Sequence, residues 1–430
     1  MTSHAHHFDS QRLVVGLVQY PKKEEELFLS LFFNKFVAMN CYRHIVCLLA
    51  LVASSVSCVY DFQPDYQGQA GYVAIEGDIL VGDTCRFDVR LSTDLEDKRN
   101  EGEPLSYTLR VESSDGVVYP LQDKYVDLTS ADISQDYRLV VEVTAPFHRT
   151  YASRWASVQI TPPIDSLVYD ISEDRSTMDI NVSTHSDGSL GYLRWIASET
   201  WEYHSATYAL WFYAPAGTEY KGRTIETGAI ITYEDDENVY WCWDSEERSD
   251  ILTATTTTLS EDRLVNYTLY SLSNTEQKIS YIYFVELTQT RLSEEGYRYW
   301  EKMRSNSTDV GGLFSPEPSE LRGNLVNVDD PEELVLGYVG VATASRARMF
   351  IESYKLNFGY WRGPLYGDFA IPWQLYESYY WSGYRVGYRE DLNDDGSGGT
   401  YYWFPGECVD CTRIGGGTKE RPSWWINNDK

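Results

Sequence analysis

Apolar and polar residues alternate strictly along much of the chain beyond residue 70. Cys85, Phe87, Val89 and Leu91 interleave with Arg86, Asp88 and Arg90. Leu105, Tyr107, Leu109 and Val111 repeat the pattern, and Tyr137, Leu139, Val141 and Val143 repeat it again. A period of two predicts strands that bury one face. Turn signals such as Asp115-Gly116 separate these runs without an intervening helical pattern, so Gly71 to Ile160 reads as a small antiparallel sandwich of immunoglobulin-like size. Pro162-Pro163 removes two ladder donors and stiffens the chain, which places the expected domain boundary there: a β-sandwich over 71–161, then a second domain over 164–430.

The second region is also strand-rich, with runs at Tyr208 to Tyr213, Ala229 to Tyr233 and Ile279 to Thr288. Its one short helix starts after Ser293. That serine can cap the helix, Glu294 and Glu295 suit its positive end, and Leu292 with Tyr297 has staple spacing. Tyr297, Trp300 and Arg304 fall on one face and predict packing against a sheet, while the polar run from Ser305 to Asp309 ends the helix. The expected fold class is therefore mainly β: an N-terminal immunoglobulin-like sandwich followed by a larger antiparallel β-rich domain with one short helix.

Residues 351–404 hold 17 aromatics in 54 positions. Most are expected in a sheet core. Tyr379-Tyr380-Trp381 and Tyr401-Tyr402-Trp403 are the exceptions, because consecutive aromatics in a strand point to both faces and cannot all be buried on one. Tyr380, Trp381, Tyr402 and Trp403 are accordingly the candidate binding patch.

The N-terminal end changes the picture of what folds. Met39 to Cys58 carries Arg43 and His44, a nine-residue apolar run from Ile45 to Ala53, then small residues ending at a cysteine. This is the order of a secretory signal peptide, and the run is too short to span a bilayer as a helix. Ser55-Val56-Ser57-Cys58 resembles a lipobox, so Cys58 is the expected acylated residue and membrane anchor; several acyl chains give stable attachment where one does not. On this reading residues 39–57 are the signal peptide, 58–70 a polar tether, and translation starts at Met39, with residues 1–38 upstream of the working protein. A long leader with a second apolar patch, Leu27 to Phe33, is the rival.

The chain carries 36 Lys+Arg against 65 Asp+Glu over 430 residues, a formal charge of −29. Only four of those acids precede Cys58, so the acidity belongs to the part expected to fold. Such a surface lacks the basic face needed to displace counterions from nucleic acid, and no nucleic-acid partner is expected. After Cys58, the cysteines are Cys85, Cys242, Cys408 and Cys411. In an oxidising compartment pairing is expected, either within Cys408-Val409-Asp410-Cys411 or from Cys242 to one of its cysteines. Turn residues flank this C-x-x-C, which does not suit a redox pair at a helix N-terminus, and a four-cysteine zinc site would rest on a single C-x-x-C. Cys85, on the inward side of its strand, reads as a buried thiol.

Asp391, Asn393 and Asp395 with Gly396 match the opening of a calcium loop, but position twelve is Tyr402 where a bidentate Glu is required. A solvated hairpin tip is the simpler account, and no metal or other cofactor is expected. His148, His185 and His204 lack metalloprotease spacing, and there is no nucleophile elbow or phosphate-binding glycine loop; catalysis is not expected.

Taken in order, the lipobox cysteine, Val73 to Ile79, Ile160 to Leu167, Tyr192 to Tyr203, Cys242-Trp243, Gly311 to Asn327, Val335 to Ile351 and Glu407 to Trp425 resemble the Bacteroidota outer-membrane lipoproteins grouped as domain of unknown function 4249. That family has no established biochemical activity. The resemblance implies a lipid-anchored protein of the outer membrane, and an accessory part beside a TonB-dependent receptor in uptake of an unidentified nutrient ligand. The rival expectation is a structural or assembly partner of an outer-membrane complex with no small ligand.

Overall fold

The structure is a computed structural model. It describes residues 72–91, 105–308 apart from 187, 189–190 and 235–236, 322–391 apart from 360, 362 and 365–366, and 399–426. All of these belong to one compact unit, Gln69–Lys430. The expected upstream segment, signal peptide, Cys58 and tether lie outside the described residues, as do Asn393 and Asp395.

The described chain is mainly β, and nearly all strand pairs are antiparallel. The first sheet orders Leu325–Asn327, Arg149–Ser153, Asp136–Ala145, Ser106–Ser113, Val118–Gln122, Tyr125–Asp127 and Thr84–Cys85, and Ala156–Ser157 also pairs with Asp136–Ala145. Against it pack the pair Val73–Glu76 with Asp88–Leu91 and the parallel pair Ile79–Leu80 with Val341–Ala342. The alternating residues of the sequence pattern meet here: Cys85, Val89, Leu109, Val111, Tyr137, Leu139 and Val141 share one core with Ile75 and Tyr151.

A second core lies between a sheet of five strands and a sheet of three. The larger orders Trp241–Glu247, Tyr192–His204, Ile282–Leu292 and Ala344–Ile351, with Leu252–Thr255 also on Tyr192–His204; the smaller orders Ile164–Ile171, Thr177–His185 and Arg263–Ser273. Pro162-Pro163 falls between the two cores. Its carbonyls are held by the second one, Pro162 by Gln289 Nε2 (2.8 Å) and Pro163 by Thr184 Oγ1 (2.8 Å).

The two cores do not divide the chain into two consecutive stretches. After supplying most of the second core, the chain returns at 322–342, and Leu325, Val335, Val339 and Val341 complete the first one. Two features fix the return. Asn324 is buried and its side chain both donates to the Val339 carbonyl (2.8 Å) and accepts from the Val339 amide (2.9 Å), as a strand neighbour would. Gly337, at φ +116°, passes so close to Ile75 that a Cβ would sit 1.9 Å from its carbonyl oxygen.

The expected helix runs Glu294–Thr308, with Ser293 Oγ accepting from the Gly296 amide (3.1 Å). Two shorter helices, Ser353–Leu356 and Tyr376–Trp381, join it. The second of these corrects the strand expected at Tyr379-Tyr380-Trp381. Tyr376, Tyr379 and Tyr380 stand at i, i+3 and i+4, and all three pack on an aromatic core built from Tyr213, Ile371, Val386 and Trp403.

Candidate functional site

Cys242 and Cys411 form a disulfide that closes a separation of 169 residues. Cys408 is buried and takes no part in that bond. With Cys242 and Cys411 joined to each other, the four-cysteine ligand set does not form. The bond belongs to a C-terminal strap. Tyr203 Oη donates to the carbonyls of Cys411 (3.1 Å) and Ile414 (2.9 Å), Trp243 exchanges backbone hydrogen bonds with Thr418 (2.8 Å), and Trp425 Nε1 donates to the buried Glu202 (3.0 Å). Cys85 is fully buried, with its thiol against the Leu80 carbonyl (3.6 Å); burial pushes its pKa up to about 12, which keeps the thiol protonated near neutral pH.

The four patch candidates separate. Trp403 is fully buried, in contact with Tyr376 and Tyr213, and is removed from the patch. Tyr380 is half-buried, packing on Tyr213 with the Arg385 guanidinium 4.2 Å from its ring. Tyr402 is half-buried and stacked on Tyr388 (4.6 Å), its hydroxyl donating to Glu390 (2.8 Å). Trp381 alone stays open, at 70% exposure. It has a companion that the pattern of consecutive aromatics did not single out: Trp373, at 74%, in the 3-10 turn Trp373–Leu375 that leads into the helix Tyr376–Trp381. Leu375 is 43% exposed.

These residues lie on one short segment, the shelf, with a defined construction. Pro372 starts the turn, the inward tyrosines at 376, 379 and 380 bolt the helix to the aromatic core, and Gly383 at φ +95° lets the chain reverse into the strand Tyr384–Glu390. The two tryptophans are thus held outward on a fixed support. They are the two most exposed large hydrophobic side chains among the described residues.

Asp391 is exposed and meets Arg389 Nε at 3.0 Å, while Tyr402, at the twelfth loop position, is spent on Glu390. Among the described residues no group of three or more His, Cys, Asp or Glu side chains is placed to hold a metal ion. A buried polar cluster lies elsewhere, inside the second core. Glu199 is buried and accepts from Arg248 Nη1 (3.1 Å), Lys278 Nζ (2.5 Å) and Tyr283 Oη (2.5 Å), and Tyr283 meets Tyr270 Oη at 2.9 Å. Burial first, then the neighbouring Tyr270 and Glu199, pushes the Tyr283 phenol well above its ordinary value. The Tyr283 phenol therefore keeps its proton and donates it to Glu199.

A family model, Domain of unknown function (DUF4249), matches residues 59–348. The chain belongs to this family. The match takes in the first core, most of the second and the helix Glu294–Thr308; it ends within the strand Ala344–Ile351, short of Ile351, Phe358 and Cys411 of the second core, the shelf and the C-terminal strap. Comparison with curated proteins gives no match. Among solved structures, the B domain of a biofilm associated protein aligns at 7% identity over 66% of this family member and 86% of that chain, with a TM-score of 0.13. A likeness of that size carries no statement about fold or role. Among the described residues no helix is long and apolar enough to cross a membrane.

Proposed function

We propose that this chain is a binding protein without catalytic activity, held at the outer membrane by an acylated Cys58, which docks through the Trp373/Trp381 shelf onto a TonB-dependent receptor during nutrient uptake. The shelf carries the proposal. Tryptophan is enriched at the centres of protein interfaces because it buries a large area while losing few rotamers. At ~25 cal/mol per Å² and about 200 Å² per ring, with Trp373 74% and Trp381 70% exposed, covering both indoles releases about 7 kcal/mol before association costs. Two exposed tryptophans on a rigid mount suit a partner surface better than they suit water. The lipid anchor is supported by the residues around Cys58, and the receptor by the resemblance described above.

Fractionation and co-purification from native membranes in mild detergent test both parts. The wild-type chain is expected in the membrane fraction with a receptor barrel attached. Cys58→Ala moves the chain to the soluble fraction. The double variant Trp373→Ala/Trp381→Ala stays in the membrane, keeps its melting temperature and loses the barrel. Recovery of the barrel with the double variant, or of the wild-type chain alone, refutes docking through the shelf.

A further inference from the structure

Among the described residues, continuous backbone passes between the two cores twice. The first passage runs from Ala156–Ser157, on the first sheet, through Pro162-Pro163 to Ile164–Ile171. The second runs from Val341–Ala342, paired with Ile79–Leu80, to Ala344–Ile351 of the five-stranded sheet, with Thr343 alone between the two strands. A link of that length would ordinarily serve as a hinge, since hinges are a few residues at the ends of elements that absorb changes of φ and ψ.

Thr343 is held against such a turn. Its amide donates to the Gln159 carbonyl (3.0 Å), its hydroxyl oxygen accepts from the Thr161 amide (2.9 Å), and its carbonyl accepts from the Thr161 hydroxyl. The Gln159 amide in turn donates to the Val341 carbonyl (2.9 Å), so the two passages run side by side, joined by a parallel bridge. The second core then grips the first passage: the Arg291 amide donates to Thr161 Oγ1 (2.8 Å), and the Ile164 amide donates to Ser345 Oγ (3.0 Å). Two prolines fix φ where the first passage would otherwise swing.

Asp78 ties the first core to the same place. Its side chain is 8% exposed; one carboxylate oxygen accepts from the Gly340 amide (2.9 Å) and the other from Arg194 Nη1 (2.8 Å) on the strand Tyr192–His204. The Arg194 guanidinium also lies on the Trp300 ring (3.7 Å) of the helix Glu294–Thr308. Asp83 meets Arg346 across the same boundary. A carboxylate so enclosed is tolerated only while its donors stay in place.

We propose that the two cores move as one rigid body, joined at residues 159–163 and 340–345, and that Asp78 is the positioning residue that sets the angle between them. Neighbouring cores of one chain ordinarily shift relative to each other unless the contact between them is extensive. Here rotation would break the bridge between the passages and take a donor from Asp78. The consequence is functional: a ligand or partner meets surfaces that are already formed, because the cores do not close around it. Every residue of the joint lies within the span that the family model matches, and the joint does not depend on the docking role proposed above.

Pulsed electron–electron resonance on the purified chain tests this, with spin labels on ketone side chains placed at Val118, an exposed position of the first sheet, and at Val265, an exposed position of the three-stranded sheet. A single narrow distance distribution is expected. Asp78→Ala broadens it. So does Thr161→Val, which removes the hydroxyl shared by Arg291 and Thr343 and keeps the side-chain shape. Glu199→Gln, a lesion inside the second core, lowers the melting temperature and leaves the distribution narrow, so motion at the joint is read separately from lost stability. A broad or two-peaked distribution from the wild-type chain overturns the rigid body, whichever variants fold. Distributions left narrow by Asp78→Ala or by Thr161→Val, or broadened as much by Glu199→Gln, overturn the joint as described.

Discussion

Glu199 sits on the inward side of its strand, in step with Ala197, Trp201 and Tyr203. Its parity alone places a carboxylate inside the second core, a position that is tolerated only with compensating charge and hydrogen bonds. Arg248, Lys278 and Tyr283 supply them from 49, 79 and 84 residues away. Glu199 was not among the residues singled out from the sequence, and its partners depend on which strands become neighbours. Removing Glu199 leaves Arg248 and Lys278 with only their outer partners, Asp250 and Glu246. Glu199→Ala is expected to cost about 3–5 kcal/mol in denaturant unfolding; a loss below about 1 kcal/mol would show that Arg248 and Lys278 reach water without it. Trp373 and Trp381 teach the opposite lesson at the same scale: residue type identifies them as contact-capable, and only the fold decides that Trp403 is inside and they are outside.

Among the elements, those legible in the sequence have their periodicity within one segment. The alternations from Cys85 to Val143 became strands of the first core, and the capping serine with its acidic first turn became the helix Glu294–Thr308. Tyr376, Tyr379 and Tyr380 carried a helical spacing that a run of three adjacent aromatics obscured, since a strand also accommodates aromatics. The return of 322–342 to the first core was not legible, because its contacts are made far back along the chain, Asn327 with Tyr151 (327 − 151 = 176 positions) and Gly337 with Ile75 (337 − 75 = 262). The cysteine pairing was open for the same reason. It is now fixed between the strand Trp241–Glu247 and the C-terminal strap. On the chain-entropy account, closing 169 residues stabilises the fold by about 5 kcal/mol. Cys411→Ser should lose roughly that amount and lower the denaturant midpoint; an unchanged midpoint would mean that Tyr203 and Trp425 hold the strap without the bond.

At the scale of the whole molecule, an acidic body with two sheet cores presents an aromatic shelf that departs from its average surface. The excess of acids opposes adsorption to anionic surfaces, so attachment by a lipid at Cys58 and contact through a few apolar side chains suit the same molecule. The shelf is the feature on which the functional proposal stands. Photocrosslinking in intact cells addresses it most directly, with a photoreactive residue placed in turn at Trp373, at Trp381 and at Val265, which is 65% exposed on another sheet. Adducts to an outer-membrane receptor barrel from 373 and 381, and none from 265, are the predicted result. No adduct from the two tryptophan positions, or equal yields from all three, would contradict it.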